Sequence, residues 1–65
     1  MDADDALDLA ILRMHHNGTI DRQIARKLGV SRQKVSQRRI AILRDDCLHD
    51  PTAHAYWRLI KETPT

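Results

Sequence analysis

Apolar residues recur at helical spacing along four segments of the chain. In the first segment they lie one, three and four positions apart: Ala6, Leu7, Ala10, Ile11 and Met14. This spacing places side chains along one side of a helix and predicts helix over residues 4–16. Asn17-Gly18 follows, and glycine tolerates the left-handed conformation that ends many helices.

The second segment predicts a short helix over residues 21–28. Thr19 or Asp21 is expected to supply its N-cap, because both side chains can accept a hydrogen bond from a free backbone amide. Gly29 is expected to end this helix. Its inward-facing apolar residues are Ile24, Ala25 and Leu28.

Two further helices have clear start signals. Ser31 can cap a third helix over about residues 32–46, since its hydroxyl can accept from the amides of the first turn. Asp50 is the predicted N-cap of a fourth helix, with Pro51 in the first helical position, where its missing N–H is no loss. That helix is predicted over about residues 51–62. No alternating segment or hairpin turn is visible, so the sequence predicts an all-α fold without a β-wing.

Charge is segregated along these 65 residues. The segment 22–44 contains eight basic residues and no acidic one, whereas the rest of the chain has three basic and nine acidic residues. The segment therefore carries +8 and the remainder −6. Such a basic face attracts and orients a polyanion, which makes nucleic acid the leading partner.

The same segment has the spacing of a tight turn between two helices. A small Ala25 lets the helices cross closely, and Gly29 allows a positive φ in the turn. Leu28, Val30 and Val35 fill the wedge between them. With Val35 inward, the N-terminal part of the third helix presents its other side outward.

Side chains on that outward side suit base edges in the major groove. Arginine can donate two hydrogen bonds to guanine, and glutamine can donate and accept at adenine. The predicted base-reading residues are Arg32, Gln33, Ser36 and Gln37. The predicted phosphate-binding residues are Thr19, Arg22, Arg26, Lys27, Lys34, Arg38, Arg39 and Arg44, which would give an affinity that falls with salt.

Residues 23–36 resemble the helix-turn-helix of bacterial and phage transcription regulators and of resolvase-type recombinases. Asn17-Gly18-Thr19-Ile20 and the arginine-rich run after the motif are also similar to Lrp-type regulators, whose wing and ligand domain have no counterpart here. The resemblance implies a three-helix DNA-binding core, in which the residues after Ser31 enter the major groove. The chain is thus expected to be one domain, 1–65, with the motif at about 21–46 and a fourth helix at 51–62.

One departure from the motif concerns the third helix. Related motifs carry an aliphatic residue three or four positions after Val35, where this chain has Arg38 and Arg39. Apolar residues further along would then have to anchor the helix: Ile40, Ile42 and Leu43. Arg39 is expected to lay its methylene groups over the edge of the core and keep its guanidinium in water or on a phosphate.

The fourth helix carries the only aromatic residues of the chain. Its apolar residues are Ala53, Tyr56, Trp57, Leu59 and Ile60, and two interpretations stay open for the last four. The helix could pack against the three-helix core, or these residues could form the interface of a homodimer. A division of the two roles is also consistent, with Trp57 and Ile60 facing inward and Tyr56 and Leu59 facing outward.

Other chemistry is not indicated. Neither a nucleophile with a positioned base nor a phosphate-binding glycine loop is present, so no enzymatic activity, cofactor or small-molecule ligand is expected. The histidines 15, 16, 49 and 54 do not form a metal-binding pattern, and Cys47 is interpreted as a small apolar filler. An acidic N-terminus and the lack of a long apolar run predict a soluble, cytoplasmic, nucleoid-associated protein without membrane contact.

Together these observations predict sequence-specific binding of double-stranded DNA by a small repressor. Because little of the chain is left for sensing an effector, autoregulation through its own concentration is the expected mode of control. One alternative is a DNA-binding module of a phage recombination or packaging machine. Another is an adaptor that binds a protein through the fourth helix and the acidic first helix.

Overall fold

The computed structural model describes residues 3–45 and 48–62, which form four helices. They are α1 (Ala3–His16), α2 (Asp21–Leu28), α3 (Arg32–Asp45) and α4 (Pro51–Glu62). The predicted all-helical class is confirmed, and these described residues include no strand. Asp46 and Cys47, at the predicted end of the third helix and just after it, lie outside the described residues. Within the described ranges, no helix has both the length and the apolar content required to cross a bilayer.

The N-terminus of α4 is capped by the predicted side chain. One carboxylate oxygen of Asp50 accepts hydrogen bonds from the backbone N–H groups of Thr52 at 2.7 Å and Ala53 at 3.4 Å. The bond from Thr52 is the main reason that the pKa of Asp50 lies below its usual value. Asp50 is thus confirmed as the N-cap, with Pro51 as the first residue of the helix.

The predicted N-cap of α2 is wrong. The cap position belongs to Ile20, which has an extended backbone and no side-chain hydrogen bond to the helix. Thr19 precedes this position by one residue, and Asp21 is already the first residue of the helix. The carboxylate of Asp21 instead accepts hydrogen bonds from two side chains of α3.

Helix α1 lies at the centre of the fold. It packs against α2, α3 and α4, while α2 and α3 also pack against each other. Two clusters of buried apolar residues result. One joins α1, α2 and α3 through Ile11, Ile24, Ala25 and Val35. The other joins α1, α3 and α4 through Leu9, Leu12, Ile42, Leu48, Ala53 and Trp57.

This central position explains why the predicted apolar stripe of α1 was incomplete. Ala6 is exposed, whereas Leu9 and Leu12, which lie outside the predicted stripe, are buried. Two acidic residues are buried as well, since Asp5 is 1% and Asp8 is 2% exposed. Because α1 packs against three helices, it buries residues on more of its circumference than one apolar stripe covers.

Helix α4 divides its apolar residues between the core and the surface. Trp57 is buried and Ile60 packs partly buried against the same cluster. Tyr56 and Leu59 are 51% and 60% exposed. Placing Trp57 in an interface between two chains is therefore wrong, because its side chain is covered by its own chain.

Candidate nucleic-acid interface

A short turn at residues 29–31 joins α2 to α3. Gly29 has φ +68°, the left-handed conformation expected for glycine at this point. The hydroxyl oxygen of Ser31 accepts a hydrogen bond from the backbone N–H of Lys34 at 3.1 Å. Both local predictions are confirmed, and the end of α2 and the start of α3 are fixed by their own residues.

The inner side of α3 is held by a few apolar contacts. Val35 is completely buried in the cluster that contains Ile24 and Ala25. Leu28 and Val30 pack against this cluster, partly buried. These five residues occupy the places that the spacing predicted, and they determine which side of α3 faces outward.

Three of the four predicted base-reading residues lie on the surface. Arg32, Gln33 and Gln37 are exposed in the first half of α3. Ser36 is partly buried, and its hydroxyl donates a hydrogen bond of 2.8 Å to Asp21. Ser36 therefore faces the start of α2 and is engaged within the chain, while the other three side chains are open to a partner.

Arg39 pairs with Asp21 on α2. Its Nε and Nη2 atoms each donate a hydrogen bond of 2.9 Å to a different carboxylate oxygen. Together with the hydroxyl of Ser36, this arginine holds the pKa of Asp21 below its usual value, against an opposing effect of burial. The expectation that the guanidinium lies in water or on a phosphate is wrong in this structure, where it lies on a carboxylate.

Arg38 pairs with Asp8 on α1. The Nε atom lies 2.9 Å from one carboxylate oxygen, and Nη2 lies 2.6 Å from the other. This two-point geometry matches the planar guanidinium to the planar carboxylate. The arginine thus compensates a buried charge at a place where an aliphatic residue would otherwise be expected.

Arg38 and Arg39 lie on either side of the buried line of α3, which Val35 and Ile42 define. Val35 and Ile42 are buried and seven residues apart, so they form one line along the helix. At 3.6 residues per turn, Arg38 and Arg39 project about 50° to either side of that line. Ile40 and Leu43 do not anchor the helix as expected, since they are 52% and 46% exposed.

The pairing divides the eight basic residues of segment 22–44 into two groups. Arg38 and Arg39 are balanced by Asp8 and Asp21. The other six are exposed, and none of them forms an ion pair with a residue that the structure describes. They are Arg22, Arg26, Lys27, Arg32, Lys34 and Arg44.

A surface groove of about 550 Å³ brings some of the predicted residues together. Its walls include Thr19 from the α1–α2 connection, Arg22 from α2 and Arg32 from α3. Lys34 lies elsewhere, beside a depression that is also lined by Asp4 and Asp8 of α1. The groove therefore unites one predicted base-reading residue, Arg32, with three predicted phosphate-binding residues, Thr19, Arg22 and Arg39. Lys34 lies outside it, near acidic residues of α1.

Buried acids were missed by the sequence interpretation. The carboxylate of Asp5 accepts hydrogen bonds from the backbone N–H groups of Asp50 at 2.6 Å and His49 at 3.4 Å. Asp8 accepts from Arg38. A usable signal was present, because Asp5, Asp8 and Leu12 lie three and four residues apart, the spacing of one helix face. Acids on a face that also carries apolar residues call for buried partners.

No family model, curated protein or solved structure matches this chain.

Proposed function

We propose that α2 and α3 form a helix-turn-helix and that the chain binds double-stranded DNA with sequence specificity. In this proposal α1 is the third helix of the DNA-binding core, α4 is an addition, and no wing takes part. The helix after Ser31, α3, enters the major groove with its outward side. The observation that carries the proposal is that Gln33 and Gln37 are exposed on the side of α3 opposite its buried line, with exposed Arg32 on the flank beside them.

Charge supports a polyanionic partner. Six exposed basic residues of segment 22–44 have no acidic partner among the described residues. Arg22 and Arg32 line one groove, where the hydroxyl of Thr19 is a further donor. Asp21, the single acid among the described residues that line this groove, is paired with Arg39. Contacts of this kind position a duplex and carry no sequence information, so specificity would rest on the exposed face of α3.

The biological role that we propose is a small cytoplasmic repressor that blocks a promoter by occupying it. A homodimer would bind an inverted repeat with half-sites about one helical turn apart. The surface available for dimerisation is the outer face of α4, where Tyr56 and Leu59 are exposed and three residues apart. A dimer through α4 would leave α2 and α3 free for DNA.

Selection of bound duplexes from a random library, using the full chain, tests the proposal. We expect one enriched motif, and a symmetric one if two copies bind. Binding to it should weaken with salt, with a slope of log K against log[salt] near −0.9 for each phosphate contact. An unenriched pool, or an affinity that does not depend on salt, would overturn the proposal.

Sedimentation of the wild type and of a Tyr56→Ser, Leu59→Ser variant tests the dimer separately. A wild-type dimer that becomes a monomer while keeping its helix content supports the α4 interface. A wild-type monomer at the concentrations that bind DNA contradicts it.

A further inference from the structure

The outward face of α3 does not stay polar along its length. Ile40, one of the largest exposed apolar side chains, lies seven residues after Gln33, three after Gln37 and four before Arg44. At 3.6 residues per turn, Gln33, Gln37 and Arg44 project within about 60° of Ile40, as does Leu43, which is 46% exposed. An apolar side chain therefore interrupts a row of exposed glutamine and arginine.

The fold of the single chain gives no reason for isoleucine at this position. The buried line of α3 runs through Val35 and Ile42, on the other side of the helix. Ile40 is 52% exposed, so it contributes little to the core. Isoleucine, which is β-branched, also has a lower helix propensity than alanine, arginine or glutamine.

One chemical group on the base edges in the major groove of DNA can make an apolar contact with isoleucine. The C5-methyl of thymine is apolar, whereas the other features read there are hydrogen-bond donors and acceptors. We propose that Ile40 contacts the methyl group of a thymine and makes thymine a required base in the recognised site. This inference rests on the proposed function, and it adds a specificity-determining residue to the polar ones.

The spacing along the helix locates that thymine. Seven residues correspond to a rise of about 10 Å. Base pairs follow each other at about 3.4 Å along the duplex. With α3 along the groove, the thymine lies about three base pairs from the base contacted by Gln33, a separation that the helix rise fixes.

Charge argues against a second copy of the chain on this face. Arg44 is exposed on the same side of α3 as Ile40, Arg32 is exposed on the adjoining flank, and segment 22–44 contains no acid. Apposing two such faces would bring like charges together, which is unfavourable. A duplex offers both the negative charge that the arginines require and the methyl group that suits Ile40.

Replacing thymine by deoxyuridine tests the inference, since it removes the methyl group and leaves the base-pairing edge unchanged. The probe is the duplex enriched from the random library, with one thymine replaced at a time. One position should weaken wild-type binding about fourfold, the equivalent of burying one methyl group. The Ile40→Ala variant should bind the unmodified duplex about as weakly and should not respond to deoxyuridine at that position.

The matched control is Arg58→Ala, which shortens an exposed side chain on α4 outside the proposed interfaces and should keep the wild-type response to deoxyuridine. Circular dichroism should show unchanged helix content in both variants. If every thymine can be replaced without loss, or if Ile40→Ala remains as sensitive as the wild type, the inference is overturned and the proposed function stands. A change in sedimentation of Ile40→Ala without a change in its response to deoxyuridine would assign the face to self-association. If no motif is enriched at all, both proposals fail.

Discussion

Arg38 and Asp8 form a two-point ion pair that joins α3 to α1. The carboxylate of Asp8 is 2% exposed, while the arginine side chain is 36% exposed. The acid has thus been removed from water, and the arginine supplies the compensating charge at the surface end of the pair. Removing one member of such a pair costs more than removing both, because the buried charge that stays behind has lost its solvation.

We expect Arg38→Met to lower the free energy of unfolding by about 2 kcal/mol. This is less than the ~3–5 kcal/mol typical of a fully buried pair, since the arginine is partly solvated. The double variant Asp8→Leu, Arg38→Met should recover at least half of the loss. Urea unfolding measures both. Arg58→Met, at an exposed position of α4, is the control and should change stability by less than about 0.5 kcal/mol. A double variant less stable than Arg38→Met would refute the account.

The pair between Asp21 and Arg39 predicts a specific dependence on pH. Hydrogen bonds from Arg39, with a smaller contribution from Ser36, lower the pKa of Asp21 in the folded chain. A lowered folded-state pKa stabilises the fold above the unfolded value of about 3.9 and loses this effect as the pH falls through the folded-state pKa.

Urea unfolding of wild type and Asp21→Asn at a series of pH values measures this effect. The wild type should be the more stable between pH 7 and pH 5, and its advantage should shrink below about pH 4. Asp4→Asn, at an exposed position near the start of α1, corrects for the general loss of a negative charge. An advantage that stays constant, or grows, at low pH would show that the carboxylate charge of Asp21 does not stabilise the fold.

Asp5 connects α1 to the entrance of α4. Replacing it by alanine leaves the backbone N–H groups of His49 and Asp50 without their carboxylate acceptor. We expect a loss of about 1–3 kcal/mol, the usual cost of removing the partner of a buried hydrogen-bonding group. Hydrogen exchange should accelerate more in α4 than in α2. Asp4→Ala is the matched control, and equal effects of the two variants would contradict the role of Asp5.

The two aromatic residues of α4 should differ strongly in their effect on stability. Trp57→Ala removes a buried side chain and should cost about 3–5 kcal/mol, which approaches the whole stability of a domain of this size. Tyr56→Ala should cost less than about 1 kcal/mol in a monomer. Thermal unfolding followed by circular dichroism compares them. Similar melting temperatures for the two variants would show that α4 does not pack through Trp57.

Loss of a base contact and loss of a phosphate contact should change DNA affinity in different ways. Gln33→Ala should lose about 1–3 kcal/mol on that duplex and little on random DNA, because it removes a neutral side chain on the reading face. Lys27→Ala should weaken binding to both duplexes and reduce the salt slope by about 0.9. Equal losses of Gln33→Ala on both duplexes would remove it from the base-reading set.

Local chemistry made most helix ends predictable. Asp50-Pro51 and Ser31 act on the first turn of the helix that follows them, and Gly29 acts on the turn in which it lies. Such signals do not depend on the rest of the fold, so the sequence contains them in full. The start of α2 is the exception, because Ile20 occupies the cap position between the two candidates Thr19 and Asp21, and the Asp21 carboxylate is paired with Arg39 on α3.

Pairings between helices were not predictable in the same way. Arg38 and Arg39 stand in the sequence where aliphatic residues are expected, but their partners lie 30 and 18 residues away along the chain. Identifying them requires knowing that α1 is central and buries more than one side. For the same reason, Arg32, Gln33 and Gln37 could be placed on an outward face, whereas the engagement of Ser36 by Asp21 could not be foreseen.

The positions of Arg38 and Arg39 on either side of the buried line have a consequence for how α3 is oriented. Val35 and Ile42 alone would leave the helix free to rotate about its own axis by a small angle. Arg38 is paired with Asp8 on α1 and Arg39 with Asp21 on α2. The two ion pairs therefore oppose rotation in either direction. The angle at which α3 presents its outer side chains is therefore set by acids on other helices. Substitutions at Asp8 or Asp21 could change what the protein recognises without altering any residue on the recognising face.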